Sequence, residues 1–312
     1  MKLRILFLFA LAIFLSCNKF IEEKLPEKMN PNLQHFGFTL IDVSWDDPTD
    51  KSAKVNYLDE VKASSNLADI LVVEPTDDIQ SRIQSMASSE VKAIIHLNEI
   101  FFENTGTGGT TSGFIYQLRS DYQTRWDEFI LVNKLVENAN QVAALYIGEE
   151  PAWNGISEAD FTLATNYAKQ TVPEIPILLV EAFAIVEDMY IPKSVDWVGF
   201  DHYFLKKPSE NDEFLNEIST MKSKMGVHQR ILLILDSHWI KIAHGSSGIA
   251  KADMDVVARD YYNMANEDTT VIGILGYYWP NGFEFKGALG ARGLPDNVQV
   301  EYQQIGKSIT GK

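Results

Sequence analysis

The chain has 312 residues, of which 46% are hydrophobic and 22% are charged, and its formal net charge at pH 7 is −16. This apolar content can bury a large core, so disorder of the whole chain is excluded. The strong negative charge makes nucleic acid and anionic lipid headgroups poor partners. We therefore expect a globular monomer that has no nucleic-acid partner.

The first sixteen residues have the layout of a bacterial secretory signal. A positively charged start precedes an apolar run from Ile5 to Leu15, which is too short for a comfortable membrane span. The stretch Phe14-Leu15-Ser16-Cys17 resembles a lipobox, although Phe14 stands where Leu is usual. The resemblance implies that residues 1–16 are removed and that lipid on Cys17 holds the protein at a membrane surface of the bacterial cell envelope. The alternative is a plain signal peptide with an incidental cysteine.

Residues 18–34 are polar and charged and contain Pro26 and Pro31. This composition is typical of a tether that need not fold, so we expect residues 17–34 to link the lipid to a domain spanning residues 35–312. Because Cys17 is the only cysteine, disulfides are excluded and the core must supply the stability.

Eight apolar runs of strand length alternate with helix-like segments along this domain. Each run is apolar throughout and does not alternate with polar residues, as expected of parallel strands that helices cover on the outside. Eight such units over about 270 residues predict a single-domain α/β (β/α)₈ barrel. The runs are Phe38–Val43, Ile70–Val73, Val91–Leu97, Val142–Ile147, Ile177–Val180, Val195–Phe200, Ile231–Leu235 and Val271–Leu275. The helical segments are Asp77–Ser88, Arg119–Ala139, Ser157–Gln170, Glu210–Lys224, Lys251–Asn266 and Asn297–Ser308.

A doubly wound open sheet is the main competing fold. It is disfavoured because Asp42-Val43-Ser44-Trp45 follows the first run in place of a glycine-rich phosphate turn.

Two connections are longer than a scaffold requires. Residues 101–117 contain a Gly/Thr stretch that predicts a flexible loop over the pocket or a mobile loop without a role. The connection at residues 278–295 is rich in glycine and aromatic residues.

The predicted strand ends carry acids, histidines and aromatic residues, but no lysine or arginine. In a barrel these positions surround one cavity at the carboxyl end of the strands. The absence of cations disfavours phosphate or carboxylate substrates, whereas aromatic faces with hydrogen-bonding acids suit a sugar. Core packing is the alternative for any single Trp. The candidate substrate-binding residues are Trp45, His96, Asn98, Glu149, Glu181, Asp201, His202, Tyr203, His238, Trp239, Tyr278 and Trp279.

Glu149-Glu150-Pro151 follows the fourth predicted strand and resembles the Asn-Glu-Pro signature of the clan A glycoside hydrolases. The resemblance implies that Glu150 is the acid/base of a two-carboxylate cleavage of O-glycosidic bonds and that Glu149 contacts the sugar. It also implies a nucleophile at Asp236, with Tyr203 and Trp279 ending the sixth and eighth strands. Two departures are Glu149 in place of Asn and Asp236 in place of a longer Glu.

The shorter reach of Asp236 leaves the stereochemical outcome open. Retaining enzymes hold their two carboxyls about 5 to 5.5 Å apart and inverting enzymes about 6.5 to 9.5 Å apart. Glu181 or Asp201 could supply the second carboxylate instead. No cofactor is expected for either mechanism.

Three other functions compete with glycoside hydrolysis. A metal-dependent hydrolase could use ligands among His96, Asp201, His202, Asp236 and His238, but the sequence lacks His-x-His on the first strand and His-Glu-x-x-His, so we expect no metal. A serine or cysteine hydrolase is disfavoured because Gly-x-Ser-x-Gly is absent. A lipoprotein barrel that binds glycans without cleaving them is the stronger alternative.

Overall fold

The computed structural model describes residues 25–110 and 112–312, and eight parallel strands within them close into a barrel. The predicted (β/α)₈ fold is therefore confirmed. In the order in which they pair, the barrel strands are β1 (His35–Asp42), β2 (Leu67–Leu71), β3 (Lys92–His96), β6 (Val142–Glu149), β7 (Ile177–Ala182), β8 (Trp197–Asp201), β9 (Arg230–Asp236) and β10 (Val271–Tyr277), and β10 pairs with β1. The strands β4 (Phe102–Thr107) and β5 (Phe114–Leu118) form a separate hairpin.

Helices cover the outside of the barrel, and all six predicted helices are present with shifted ends. The described α-helices are α1 (Leu58–Val61), α2 (Gln80–Ala87), α3 (Asn98–Phe101), α4 (Tyr122–Asn133), α5 (Glu158–Thr171), α6 (Asp212–Lys224), α7 (Met254–Glu267) and α8 (Asp296–Thr310). A three-residue 3₁₀ turn, Phe183–Ile185, follows β7 where the repeat would place a helix. Within residues 25–110 and 112–312, each helix is too short or too polar to cross a bilayer.

The core has two layers, as a packed barrel requires. Inward-facing residues such as Leu67, Ile94 and Leu232 fill the interior of the barrel. A larger layer lies between the strands and the surrounding helices, where Trp126 and Phe161 are fully buried. Strands that are buried on both faces need continuous apolar sequences, which explains why they could be recognised in the sequence.

The connection at residues 101–117 differs from the flexible loop that the sequence predicted. Its two halves pair as the antiparallel hairpin of β4 and β5. The hairpin also binds the loop after β6, because the N–H of Ser112 donates to the carbonyl of Trp153 at 3.2 Å and the N–H of Tyr116 donates to that of Asn154 at 3.1 Å. These bonds fix the hairpin beside the Glu149-Glu150 pair.

The tether predicted for residues 17–34 is packed against the barrel over its described part. The side chain of Asn30 is buried and donates to the carbonyls of Ala265 at 2.8 Å and Val271 at 2.9 Å, and Leu33 is fully buried. These contacts lie at the start of β10, so the segment covers the amino-terminal end of the barrel. The signal sequence and Cys17 lie outside the described residues.

A cluster around Arg292 joins the connection after β10 to the one after β1. Its guanidinium donates to the carboxylates of Asp47 at 3.0 Å, Asp50 at 2.7 Å and Glu60 at 2.9 Å. The indole N–H of Trp279 donates to the same Glu60 at 2.8 Å. Because Asp47 is fully buried, its charge depends on these donors.

We expect Arg292→Met to lower the free energy of unfolding by about 3 kcal/mol, since it leaves a buried carboxylate without its cation. Urea denaturation of the two proteins measures the difference. The matched control is Lys62→Met, which removes a cation from an exposed pair with Asp59. It should change stability by less than about 1 kcal/mol. Equal effects of the two substitutions would contradict the structural role of Arg292.

Candidate active site

The Glu149-Glu150 pair lies on an irregular end of β6. The pairing of β6 with β7 shifts register between Tyr146 and Glu149, and Gly148 has a φ of +75°. A Cβ on Gly148 would lie 3.0 Å from the ring of Phe161, so both conformation and space require glycine there. Glu150 itself has a φ of +46°, a region that costs a non-glycine residue about 1–2 kcal/mol. Backbone strain of this kind is concentrated at functional sites.

The buried carboxylate of Glu181 holds the turn that follows Glu150. It accepts hydrogen bonds from the N–H groups of Ala152 at 2.9 Å and Trp153 at 3.1 Å. Burial raises the pKa of Glu181 to about 7, although these backbone donors act in the opposite direction. Glu181 is only 1% exposed. It therefore positions the turn and leaves no surface for a substrate.

Glu150 forms a carboxyl pair with Asp201 at the end of β8. Their side chains are hydrogen-bonded to one another. Burial raises the pKa of Glu150 to about 7, the charges of Glu149 and Glu284 act in the same direction, and the hydrogen bond to Asp201 acts against them. Burial and the charge of Glu150 also raise the pKa of Asp201 well above its usual range. Such a site holds at least one proton near neutral pH.

Two stacked tyrosines lie beside this pair. The rings of Tyr203 and Tyr277 are parallel within 10°, with centroids 5.4 Å apart, and both side chains are partly exposed. The hydroxyl of Tyr277 donates to the carboxylate of Glu284 at 3.0 Å. Glu284 is exposed and belongs to the connection after β10. A third acid therefore lies near the barrel mouth, in the part of this connection beyond Trp279, where the sequence prediction named no site residue.

Asp236 ends β9 as predicted, but its carboxylate is enclosed by protein groups. It accepts hydrogen bonds from the N–H of Phe204 at 2.8 Å and from Nε2 of His244 at 3.1 Å, and it is only 1% exposed. His238 Nδ1 lies 3.3 Å from the same carboxylate. In this arrangement a sugar cannot contact Asp236.

The cluster of Asp236, His238 and His244 has the spacing of a metal site, since its ligand atoms lie within 4.8 Å of one another. The hydrogen bonds argue against a metal. Nδ1 of His244 accepts the N–H of Ile240 at 2.9 Å, so its proton must be on Nε2, which points at Asp236. A metal on Nε2 would leave both ring nitrogens without a proton. The donor set therefore does not fit a metal ion.

Several other predicted site residues are also buried. His238 is fully buried, its Nδ1 lies 3.1 Å from the carbonyl of Tyr277, and burial lowers its pKa. Trp239 donates to the carbonyl of Ile249 at 3.0 Å and pairs in the backbone with Leu289. Tyr278 and Trp279 are in the core as well. The structure assigns these side chains mainly to packing, which was the alternative stated for any single Trp.

His202 points away from the barrel mouth. Its Nδ1 lies 2.7 Å from Glu217 on α6, and its ring stacks on Phe183 with centroids 4.1 Å apart. The side chain follows the outward face of β8, whereas Asp201 follows the inward face. The side chains of these two neighbouring residues therefore point to opposite faces of the sheet.

The remaining predicted residues line or flank the mouth. His96 is partly exposed, packs edge-on against Tyr146 with centroids 4.6 Å apart, and has Nε2 3.2 Å from the buried Asp69. Asn98 begins α3 and is partly exposed. Trp45 donates to the carbonyl of Asn281 at 3.1 Å. The structure thus brings together Glu149, Glu150, Asp201 and Tyr203, with His96, Asn98 and Trp45 around them.

Sequence reasoning missed Tyr146, Asp69, Glu284 and His244 as components of this region. Tyr146 and Asp69 lie inside strands, and β2 begins three residues earlier than predicted, which hid Asp69. Glu284 lies in a long connection, where no periodicity indicates which side chains face the cavity. The aromatic residues on both sides of Glu284, Phe283 and Phe285, are exposed, and they were the feature of the sequence that could have pointed to it.

Glu150 should make the free energy of unfolding depend on pH. Its pKa in the folded protein, about 7, exceeds its ordinary value of 4.5, so its contribution to stability is complete below about pH 4.5 and is lost as pH rises through 7. Glu150→Gln should reduce this loss by up to about 3 kcal/mol. Urea denaturation at pH 4.5 and pH 8 measures the difference. Glu174→Gln, at an exposed position before β7, should leave the pH dependence unchanged.

Comparison with known proteins shows the fold. No protein-family model matches the chain, and no curated protein matches it. Among solved structures, it is similar to a glucosidase from Croceicoccus marinus with a TM-score of 0.60 and 13% identity, covering 92% of this chain and 68% of that one. It is also similar to xylanase 10B from Thermotoga maritima, with a TM-score of 0.55 and 11% identity over 93% of this chain and 100% of that one.

A GH113 β-1,4-mannanase is a third similar structure, with a TM-score of 0.56 and 10% identity, covering 88% of this chain and 99% of that one. The identities are too low to transfer an activity or a residue assignment. The chain therefore shares the barrel fold of the clan A glycoside hydrolases, as the sequence resemblance implied.

Proposed function

We propose that the protein is a glycoside hydrolase in which Glu150 donates the proton to the leaving oxygen. The observation that carries this proposal is a carboxyl at the carboxyl end of a barrel strand whose pKa is raised to about 7. A general acid must be protonated near the working pH, and burial beside other acids meets this requirement. The barrel shared with known glycosidases gives further support.

The neighbours of Glu150 have separate roles in this proposal. Asp201 keeps its own proton because its pKa is raised well above its usual range, and its hydrogen bond to Glu150 limits the rise in the pKa of Glu150. Glu149 is exposed beside it, so its charge keeps the pKa of Glu150 high while its oxygens can bind a sugar hydroxyl. Glu181 fixes the turn that presents Glu150. Four acids from three adjacent strand ends thus form one site.

Carbohydrate recognition is supported by the aromatic groups at the mouth. Tyr203 and Tyr277 present a stacked pair, and Trp45 packs edge-on against the exposed Phe283 with centroids 5.2 Å apart. Aromatic faces of this kind bind the apolar faces of sugar rings. We propose a poly- or oligosaccharide as the substrate class.

Asp236 as the second carboxylate remains a prediction from the sequence. Its hydrogen bonds to His244 and Phe204 and its burial argue against it, because an attacking carboxylate needs an open path to the sugar. The same burial favours a second candidate function, a barrel that binds glycans without cleaving them. Release of new reducing ends from any polysaccharide would exclude that candidate.

We also propose that the protein is a lipoprotein of the bacterial cell envelope with lipid on Cys17. The support is the signal-like sequence that ends at the only cysteine. We expect Cys17→Ala, expressed with the complete amino-terminal sequence in a bacterial host, to move the protein from the detergent phase to the aqueous phase in Triton X-114 partitioning. Lys19→Gln, just beyond the lipobox-like stretch, is the matched control and should stay in the detergent phase. Aqueous partitioning of the unaltered protein would contradict the proposal.

Activity should fall as pH rises above about 7, since the general acid loses its proton there. Glu149→Gln removes a like charge, so it should lower the pKa of Glu150 and move the basic limb of the pH–rate profile to lower pH. The measurement is kcat against pH on a substrate found in a polysaccharide panel. A basic limb that stays in place would contradict the role of Glu149.

Glu150→Gln should reduce kcat by about 10²- to 10⁴-fold on natural linkages. The reduction should be smaller on dinitrophenyl glycosides, whose leaving group needs little protonation. Comparing the two substrate classes separates loss of the acid from loss of structure. Equal reductions on both classes would contradict the assignment of Glu150 as proton donor.

A further inference from the structure

Hydrolysis of a glycosidic bond needs a second carboxylate that faces the sugar from the side opposite the acid. Glu149 is next to Glu150 at the same strand end, so it does not lie across the barrel mouth from Glu150. Asp201 is hydrogen-bonded to Glu150 and shares its proton. Glu181 and Asp236 are each 1% exposed and bind protein groups. The opposite side of the mouth therefore has to supply the partner.

The connection after β10 comes from that opposite side. In the closed order of the barrel, β10 is four strands away from β6 in either direction, which is as far apart as an eight-stranded barrel allows. Glu284 lies in this connection, is exposed, and accepts the hydroxyl proton of Tyr277 at 3.0 Å. Its charge also contributes to the raised pKa of Glu150.

Backbone hydrogen bonds fix the two ends of the part of this connection that carries Glu284. The N–H of Gly282 donates to the carbonyl of Ala288 at 3.0 Å, which closes a short loop around Glu284. Trp239 and Leu289 exchange two backbone hydrogen bonds of 2.7 and 3.0 Å just beyond it. A loop fixed at its base and a side chain fixed by Tyr277 can hold a reacting group in position.

We propose that Glu284 is the second catalytic carboxylate and acts as a general base. The inference rests on the proposed glycoside hydrolase function. In the reaction, Glu284 takes a proton from a water molecule while the water oxygen forms a bond to the anomeric carbon. The bond from that carbon to the leaving oxygen breaks, and Glu150 gives its proton to that oxygen. Afterwards Glu284 releases its proton and Glu150 regains one from solvent.

This role predicts inversion at the anomeric carbon, because water attacks from the face opposite the leaving group. Tyr277 is a positioning residue, since its hydroxyl orients Glu284. Asp236, His238 and His244 then have the structural role of closing the top of β9.

The test compares Glu284→Gln, Asp236→Asn and Glu150→Gln on a substrate that the unaltered protein cleaves. Glu284→Gln should lower kcat by about 10²- to 10⁴-fold and leave thermal unfolding unchanged, because the side chain is exposed. Sodium azide should restore turnover of this variant and give a glycosyl azide of inverted configuration. Lys286→Gln, at an exposed position in the same loop, is the matched control and should keep full activity.

Two results would overturn the proposal. One is a Glu284→Gln variant with activity within about threefold of the unaltered protein, too small a change for the loss of a general base. The other is a product that keeps the configuration of the cleaved bond in an NMR time course. If Asp236→Asn alone loses activity and azide restores it, the enzyme function stands and the assignment of Glu284 fails. If the unaltered protein cleaves no glycan, the proposed function itself fails.

Discussion

The hydrogen bond between the carboxyl groups of Glu150 and Asp201 sets the chemistry of the barrel mouth. Two carboxyl oxygens can bond in this way only when one of them carries a proton, so the pair fixes a proton in the site. Three features support this condition: burial penalises the charged forms, Gly148 allows the irregular end of β6 with its positive φ, and the Glu181 carboxylate holds the following turn.

The histidines near the site have a different task from the acids. His244 donates to Asp236 while its other nitrogen accepts a backbone N–H, so its tautomer is determined by its neighbours. His238 is buried and kept neutral by its surroundings. These side chains satisfy the hydrogen-bond acceptors of a buried carboxylate, as a polar network in a protein core must. Acid chemistry and structural support are thus separated on adjacent strands of one barrel.

The fold could be predicted because buried parallel strands require continuous apolar runs such as Val142–Ile147. The predicted strand ends also led to Glu150, Asp201 and Tyr203, which the structure brings together at the barrel mouth, while their roles stay predictions. The sequence did not indicate the direction of other side chains. His202 adjoins Asp201 but faces α6, and the indole N–H of Trp279 donates to Glu60. The sequence does not show to which side of the sheet the last side chain of a strand points. It also does not show the path of a long connection, and for this reason Glu284 was missed.

The packed segment around Asn30 closes the amino-terminal end of the barrel, opposite the mouth. Only nine residues lie between Cys17 and Glu27, so these two residues are at most about 35 Å apart. Lipid on Cys17 would therefore hold the closed end toward the bilayer and direct the mouth outward. In that orientation the barrel mouth of a lipid-anchored protein would face glycans that arrive from the surroundings, while sugars attached to the lipids of the same membrane would lie behind it.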